Sequence, residues 1–150
     1  MRKVPVYYYS SVSNLTGRFA ERLALTNARP VFNLADRAVR GREAEGPWVL
    51  LTPSYKAGNA NQVTLPTPVR AFLRSPMNRR RLIGIIGSGN RNFGIHYQAA
   101  ARELAQVSGR PVLFEFELSG TPEDVDRCVE ILKRLDDAIA AAARDADALP

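Results

Sequence analysis

The chain has 150 residues, one cysteine and a formal net charge of +6, with a sequence pI near 10.0. This length predicts one domain, residues 1–143, whose core needs no disulfide or metal, followed by a frayed Ala- and Asp-rich tail at 144–150. The single cysteine, Cys128, excludes an internal disulfide and a CxxC redox pair, so redox chemistry requires a bound cofactor.

The basic composition indicates an anionic partner of some kind. The densest basic cluster, Arg79–Arg81, is expected to be a solvated turn at the amino end of a strand. No aromatic side chains alternate with basic ones to form a stacking platform, so we expect no nucleic-acid partner. The apolar run at 4–9 is too short for a signal peptide or a membrane helix, and we expect a cytoplasmic protein without a membrane partner.

The first predicted strand, Val4–Tyr9, leads into a loop rich in hydroxyl groups. Of the seven residues at 10–16, five carry hydroxyl or amide side chains, and the helical spacing of Phe19 and Leu23 follows at once. Such side chains, together with the free N–H groups of a helix N-terminus, bind phosphate. An ordinary helix cap would explain only one of them. No Walker-type Gly-Lys-Ser/Thr sequence is present, so hydrolysis of nucleoside triphosphates is not indicated.

Short strands are predicted at 31–34 and 48–52, with a charged surface loop at 36–46 between them. The third strand ends in small and polar residues that include Tyr55. This aromatic side chain could be a half-buried packing residue, or it could lie against a flat ring at a binding site. A short helix follows at Pro66–Leu73.

The central strand, Leu82–Ile86, is apolar enough to be buried on both faces and ends in a glycine-rich loop. Three glycines and two asparagines stand within residues 87–94. Glycine lets a ligand approach the backbone, and the asparagine amide both donates and accepts hydrogen bonds. A tight strand-to-helix connection would explain one such loop equally well, but the chain has a second polar loop after its first strand.

The C-terminal part predicts an amphipathic helix ending at Ser108, a last strand at Pro111–Leu118, and a final helix. Thr121 and Pro122 form a standard start for that helix, and Cys128 falls in its core stripe. His96 is the only histidine and has no companions at ligand spacing, so we expect no metal site.

The alternation of strands and helices predicts an α/β fold, a doubly wound five-stranded parallel sheet between two helix layers. Loops at the carboxyl ends of parallel strands converge, so the polar loops after the first, third, fourth and fifth strands predict one site for a planar molecule that carries a phosphate. No side chain is a convincing acid, base or nucleophile, and we expect no catalytic residues; the chemistry would be that of a cofactor.

Four segments, YYSSVSNLT, TPSY, GSGNRNFG and FEFELSGTPEDV, resemble the NrdI family of flavodoxin-like FMN proteins, over about Val6–Leu135. The resemblance implies that the protein binds FMN, receives electrons from a reductase and passes a reduced form of dioxygen to NrdF, the dimetal subunit of class Ib ribonucleotide reductase. There the oxidant assembles a dimanganese-tyrosyl radical cofactor. Such a protein is a redox accessory protein for deoxyribonucleotide synthesis, and it does not itself convert a metabolite.

The resemblance also assigns cofactor-binding roles, all at the expected sheet edge. The phosphate would be held by Ser10, Ser11, Ser13, Asn14 and Thr16. One side of the flavin ring would be flanked by Pro53, Ser54, Tyr55, Lys56, Ala57 and Gly58, and the other by Ser88, Gly89, Asn90, Asn92, Phe93 and Gly94. The rim of the site would be formed by Leu118, Ser119 and Gly120.

The chain departs from the family pattern in two of these loops. The family's serine loop usually reads Ser-Ser-x-Ser-x-Asn-Thr, whereas here Asn14 comes one place early and Leu15 occupies the expected Asn position. Either Asn14 substitutes for that residue or the phosphate loses a contact. Lys56 stands where some members have glycine, which stiffens the loop and adds a cation near the flavin.

Two other functions remain open at this point: a general flavodoxin that carries single electrons, and a cofactor-free module that binds a phosphorylated ligand. The basic charge is consistent with an anionic flavin and with retention or steering of superoxide. It is equally consistent with docking to an acidic face of the partner subunit, and the sequence does not separate these interpretations.

Overall fold

The computed structural model describes residues 2–57, 62–89 and 98–148, and at 55–57, 62–64 and 147–148 it describes the backbone alone. The elements in chain order are β1 (Val6–Tyr8), α1 (Leu15–Asn27), β2 (Val31–Asn33), α2 (Arg37–Arg40), β3 (Trp48–Pro53), β4 (Tyr55–Ala57), β5 (Gln62–Thr64), α3 (Thr67–Phe72), α4 (Pro76–Arg81), β6 (Leu82–Gly89), α5 (Ala99–Ser108), β7 (Val112–Glu117) and α6 (Pro122–Ala148).

Five strands form a parallel sheet in the order β2-β1-β3-β6-β7. The strands β3 and β6 lie at its centre because their side chains are apolar on both faces: Leu50 and Ile85 face one layer, and Leu51 and Ile86 face the other, all with no exposed surface. The predicted doubly wound five-stranded sheet is therefore confirmed. None of the helices in the described ranges is long and apolar enough to cross a membrane.

The two faces of the sheet are covered by different helices. On one face α1 and α6 pack through Phe19, Leu23 and Leu132, and the ring of Phe19 stacks on Phe116 with 3.8 Å between centroids. Cys128 is part of this core, as predicted, and burial raises the pKa of its thiol to about 12.

A buried ion pair lies on this face of the sheet, where the chain enters the first strands. The guanidinium of Arg29 donates to both carboxylate oxygens of Asp136, at 3.0 and 2.7 Å, and to the carbonyl of Val4 at 2.8 Å. The amide of Val4 in turn donates to Asp136 Oδ1 at 2.8 Å. The pair thus joins α6 to the segments that lead into β1 and β2.

Two charged segments have more helix than the sequence predicted. The expected surface loop at 36–46 contains the helix α2, because Asp36 accepts a hydrogen bond from the amide of Ala38 at 2.9 Å and so caps its N-terminus. The expected solvated turn at Arg79–Arg81 is the end of α4, which Ser75 caps. Both expectations were wrong, because short capped helices have no apolar periodicity to reveal them.

Other differences concern element ends and the segment after β3. Residues 55–57 and 62–64 form an antiparallel hairpin that the sequence analysis did not predict. The strand β6 extends past Ile86 to Gly89, because residues 87–89 pair in register with β7. The helix α6 continues to Ala148, so 144–148, expected to fray, are helical here; the domain boundary at 143 stays a prediction.

Candidate functional site

Four strands of the parallel sheet, β1, β3, β6 and β7, point their carboxyl ends at the same side of the molecule. We call this side the carboxyl edge. Every described residue predicted for the site lies at the carboxyl end of one of these strands or in the segment that follows it. The edge is also the place where open α/β sheets bind ligands.

The serine loop, residues 10–14, turns directly into α1. Its main chain closes a turn in which the amide of Asn14 donates to the carbonyl of Ser11 at 2.9 Å. The Oγ of Ser10 accepts a hydrogen bond from the amide of Gly17 at 2.9 Å, so this side chain joins the serine loop to the first turn of α1. The hydroxyls of Ser11 and Ser13 form a hydrogen bond of 2.9 Å with each other at the surface, which leaves one O–H of the pair able to donate to a ligand.

Asn14 occupies the N-cap position of α1 in a left-handed conformation, with φ 57°. Among the described residues its side chain forms no capping hydrogen bond, and it lies over Gly17, where a Cβ atom would come within 2.0 Å of Asn14 Oδ1. Leu15 is the first helical residue, and the first turn of α1 contains no acidic side chain. The positive potential of this helix end is therefore not reduced by a nearby carboxylate.

Thr16 and Ser88 connect the serine loop to the central strand. Their hydroxyl oxygens lie 2.8 Å apart, and the residues are 5% and 1% exposed. The sequence assigned Thr16 to the phosphate and Ser88 to the ring, and the structure brings the two side chains together in a buried contact. Their contact with a cofactor stays a prediction.

A second connection joins the end of β3 to α5. The Oγ of the buried Ser54 accepts a hydrogen bond from the amide of Ala100 at 3.0 Å. Ser54 is not part of α5, yet it satisfies an amide in the first turn of that helix. Pro53, the last residue of β3, lies opposite Ser88 in the sheet register. The backbone of Tyr55, Lys56 and Ala57 continues from here as β4.

A third connection forms the rim. The amide of Leu118 donates to the carbonyl of Gly89 at 3.0 Å, and Leu118 adopts φ 53° with 49% of its surface exposed. Gly120 has φ 73°, and a Cβ there would come within 2.7 Å of the Phe19 ring. Ser119 lies between them in the chain, and the contact of these three residues with a cofactor stays a prediction.

Gln98 is a residue at this edge that sequence reasoning missed. It is fully buried with φ 61°, and its Nε2 donates to the carbonyl of Phe116 at 2.9 Å. Its Oε1 has no hydrogen-bond partner in the described part of the chain, and it fills the space that a Cβ at Gly87 would need. A single glutamine before an amphipathic helix gives no sequence signal of this arrangement.

Gly58, Asn90, Asn92, Phe93 and Gly94 were also predicted to flank the ring, and they lie outside the described residues. His96 does too. Within 2–57, 62–89 and 98–148, no three His, Cys, Asp or Glu side chains cluster as metal ligands.

A cavity of about 520 Å³ opens elsewhere, where residues 2–5 and 46–47 lead into β1 and β3. Tyr7, Phe32 and Val39 are among its apolar lining residues. None of the described residues predicted for the cofactor lines it.

The carboxyl edge fits the phosphate end of a flavin nucleotide. Two surface hydroxyls, Ser11 and Ser13, stand beside a helix N-terminus without acidic residues, which together suit a phosphate dianion.

The fold and this edge define a flavodoxin-like protein. A short-chain flavodoxin associated with a non-canonical PDU bacterial microcompartment superposes with a TM-score of 0.60 at 17% identity, covering 92% of this chain and 99% of that one. A mutant flavodoxin of Fusobacterium nucleatum bound to flavin mononucleotide superposes with a TM-score of 0.52 at 15% identity, covering 89% and 95%.

Within this class the chain belongs to the NrdI flavodoxin-like family, whose model matches residues 6–130. Protein NrdI of Escherichia coli O127:H6 is 42% identical over 119 residues, which cover 79% of this chain and 84% of the relative. Protein NrdI of Mesoplasma florum is 37% identical over 132 residues, covering 87% and 85%. The family resemblance inferred from the sequence motifs is confirmed.

Proposed function

We propose that this protein binds FMN at the carboxyl edge, uses it in reduced form to reduce dioxygen, and delivers the oxidant to the NrdF-type subunit of a class Ib ribonucleotide reductase. There the oxidant would assemble the dimanganese-tyrosyl radical cofactor. The observation that carries the proposal is the match to the NrdI family on a flavodoxin-like fold whose serine loop has surface hydroxyls beside a helix with no acidic residue in its first turn.

Two kinds of residue in the serine loop serve the phosphate in different ways. In the proposal the hydroxyls of Ser11 and Ser13, which in the described part of the chain bond only to each other, rotate to donate to phosphate oxygens. Ser10 bonds to the amide of Gly17, and Thr16, in the first turn of α1, bonds to Ser88, so these two residues hold the shape of the segment around the ligand. The amides at the start of α1 add favourable potential for the negative charge.

The flavin ring, when bound, supplies the one- and two-electron chemistry that no side chain here can perform. In the proposal the chain positions the ring between the hairpin, with Tyr55 and Lys56, and the loop after Gly89. Leu118 contributes apolar surface at the rim, where it is half exposed. Lys56 adds a positive charge that favours an anionic ring.

The partners must approach the carboxyl edge, because electrons and the reduced dioxygen species leave the flavin there. Val12 in the serine loop is fully exposed, and Leu118 at the rim is half exposed. Such apolar side chains at the edge of a site suit docking of a second protein. In the proposal a reductase and the NrdF-type subunit use this surface in turn, in the cytoplasm.

A titration with FMN tests the cofactor assignment. The expected result is a perturbed visible absorption spectrum with 1:1 binding, which the double variant Ser11→Ala/Ser13→Ala weakens about tenfold to a hundredfold through the loss of charge-assisted hydrogen bonds. Thr26→Ala is the matched control, because it removes an exposed hydroxyl from the other end of α1 and should leave the affinity unchanged. A protein that does not bind FMN would instead be a module for another phosphorylated ligand.

Anaerobic reduction followed by exposure to air tests the oxidant function. The expected result is rapid reoxidation with release of superoxide or peroxide, and formation of the tyrosyl radical in a manganese-loaded NrdF-type subunit only when the reduced protein and dioxygen are both present. Slow reoxidation without radical formation would identify a general electron carrier and contradict this part of the proposal.

A further inference from the structure

The positive charge of the chain is concentrated at the side of the sheet opposite the carboxyl edge. We call this side the amino edge and define it by the segments that lead into the five strands: 2–5, 28–30, 41–47, 74–81 and 109–111. Apart from Arg29, which pairs with Asp136, these segments carry eight basic residues and two acidic ones, Glu43 and Glu45. With the pair of Arg29 and Asp136 set aside, the remaining residues carry twelve charges of each sign, so the amino edge accounts for the whole net charge of +6.

The basic residues form one continuous surface. They are Arg2, Lys3, Arg42, Arg74, Arg79–Arg81 and Arg110. Arg110 donates to the carbonyl of Arg80 at 3.4 Å, and Arg81 donates to the carbonyl of Ala44. Next to Ala44, Glu45 accepts from Arg2 at 3.2 Å, and these contacts link the edge from β7 to β1.

The hydrogen bonds of these arginines orient the guanidinium groups but do not neutralise them. Arg79 donates to the carbonyls of Leu73 and Arg74 at 2.8 and 3.0 Å, and a carbonyl oxygen carries no formal charge. The ion pair of Arg2 and Glu45 is strongly exposed, with side-chain exposures of 78% and 86%, so it is weak and readily exchanged. The amino edge therefore carries unbalanced positive charge, with the guanidinium groups of Arg79, Arg81 and Arg110 held by carbonyl oxygens.

The position of this surface leaves the proposed flavin site free. The two edges are separated by the length of β6, which has eight residues and so spans roughly 26 Å at about 3.3 Å a residue. This is far more than the Debye length of about 8 Å at physiological ionic strength. A partner on the amino edge would neither cover the flavin nor exchange electrons with it directly.

We propose that the amino edge is a docking surface for an acidic protein. Guanidinium groups bind carboxylates in paired hydrogen bonds, and the orientation of Arg79 and Arg81 is already set. The cavity of about 520 Å³ beside Tyr7, Phe32 and Val39 opens on the same edge and can accept a large apolar side chain, the usual anchor of a protein interface. A nucleic-acid backbone has no apolar side chain to place in this cavity, so the observations favour a protein over DNA or RNA.

The test measures binding of fluorescently labelled poly-L-glutamate to the full chain by anisotropy, at low and physiological salt. The triple variant Arg42→Gln/Arg74→Gln/Arg80→Gln removes three exposed charges that form no side-chain hydrogen bond among the described residues. The matched control, Arg127→Gln/Arg134→Gln/Arg144→Gln, removes three exposed charges from α6. We expect the first variant to bind about tenfold more weakly and the control to stay within about twofold of the parent protein.

Three outcomes would overturn the proposal: no binding of poly-L-glutamate at low salt, an equal loss in both variants, or tighter binding of a DNA duplex than of poly-L-glutamate at the same salt. The second would mean that only net charge matters, and the third would identify a nucleic-acid surface. An FMN titration of the same variants, expected to match the parent protein, keeps this result separate from the test of the flavin site.

Discussion

The buried pair of Arg29 and Asp136 makes a sharp prediction for the stability of the fold. Asp136→Ala removes the acceptor of three hydrogen bonds, two from Arg29 and one from the amide of Val4. Arg29 is only 2% exposed, so its charge cannot be solvated where it lies. The variant therefore leaves a buried cation without a counterion and a backbone donor without an acceptor.

The expected loss in the free energy of unfolding is about 3–5 kcal/mol, as for other buried pairs that lose one partner. A domain of this size has about 5–15 kcal/mol in total, so the variant would keep a fraction of its stability. The double variant Arg29→Met/Asp136→Leu removes both charges and refills the space. It should recover much of the loss, because no unpaired charge remains.

Urea unfolding followed by far-UV circular dichroism measures both effects. At a slope of about 2 kcal/mol per molar urea, the loss lowers the midpoint by roughly 2 M. Asp137→Ala, which removes the next and exposed carboxylate on α6, is the control and should change stability by less than about 0.5 kcal/mol. The reasoning would be refuted if Asp136→Ala cost under about 1 kcal/mol, or if the double variant were no more stable than the single one.

Three further changes test contacts of the site and the core. Thr16→Val should lower the free energy of unfolding in urea by about 1–2 kcal/mol, because the buried Ser88 hydroxyl loses its hydrogen-bond partner. Adding Ser88→Ala should cost less than a second loss of this size, since the contact is already gone. Losses that add exactly would contradict the contact. Gly120→Ala should cost about 2 kcal/mol or more, from a positive φ of 73° and a collision with Phe19, and an unchanged midpoint would show that the rim relaxes. The thiol of Cys128, with its pKa raised from 9.0 to about 12 by burial, should resist a thiol reagent at pH 8 until urea unfolds the chain. Between pH 9 and pH 12 only the thiol of the unfolded chain ionises, so the contribution of Cys128 to the free energy of unfolding should be complete below pH 9 and decline as the pH rises towards 12. The variant Cys128→Ala should remove this decline. Labelling of the native protein, or the same pH profile in both proteins, would contradict the burial of the thiol.

The sheet and its helices were predictable where burial leaves a periodic pattern. The strands β3 and β6 are apolar on both faces. The start of α6 is capped by neighbouring residues of the sequence: the amide of Asp124 donates to Thr121 Oγ1 at 3.1 Å, and the Asp124 carboxylate accepts from the amide of Thr121 at 2.9 Å. Elements of four to six residues, such as α2 and α4, depend on one cap and on arginine side chains that bond carbonyls outside the helix: Arg40 bonds those of Leu34 and Ala35, and Arg81 bonds that of Ala44. Such contacts follow no apolar period, so hydrophobic periodicity does not reveal them.

The convergence of loops at the carboxyl edge was predictable, and the contacts between them were less so. Ser10, Ser11 and Ser13 stood out because hydroxyls before a helix have few other uses in such number, and their phosphate-binding role stays a prediction. That Ser54 caps α5 and that Gln98 fills the space above Gly87 depends on segments 46 and 11 positions apart in the chain. Spacing within one segment carries no information about such pairs.

The bonds between loops at the carboxyl edge have a thermodynamic consequence for ligand binding. Thr16 with Ser88, Ser54 with Ala100, and Leu118 with Gly89 each join two loops through groups of the protein alone. The entropy lost in ordering these parts of the site is therefore spent when the chain folds, at about 1–2 kcal/mol for each backbone residue fixed. A ligand that binds afterwards does not have to order these segments, so a larger part of the free energy of its contacts appears as affinity.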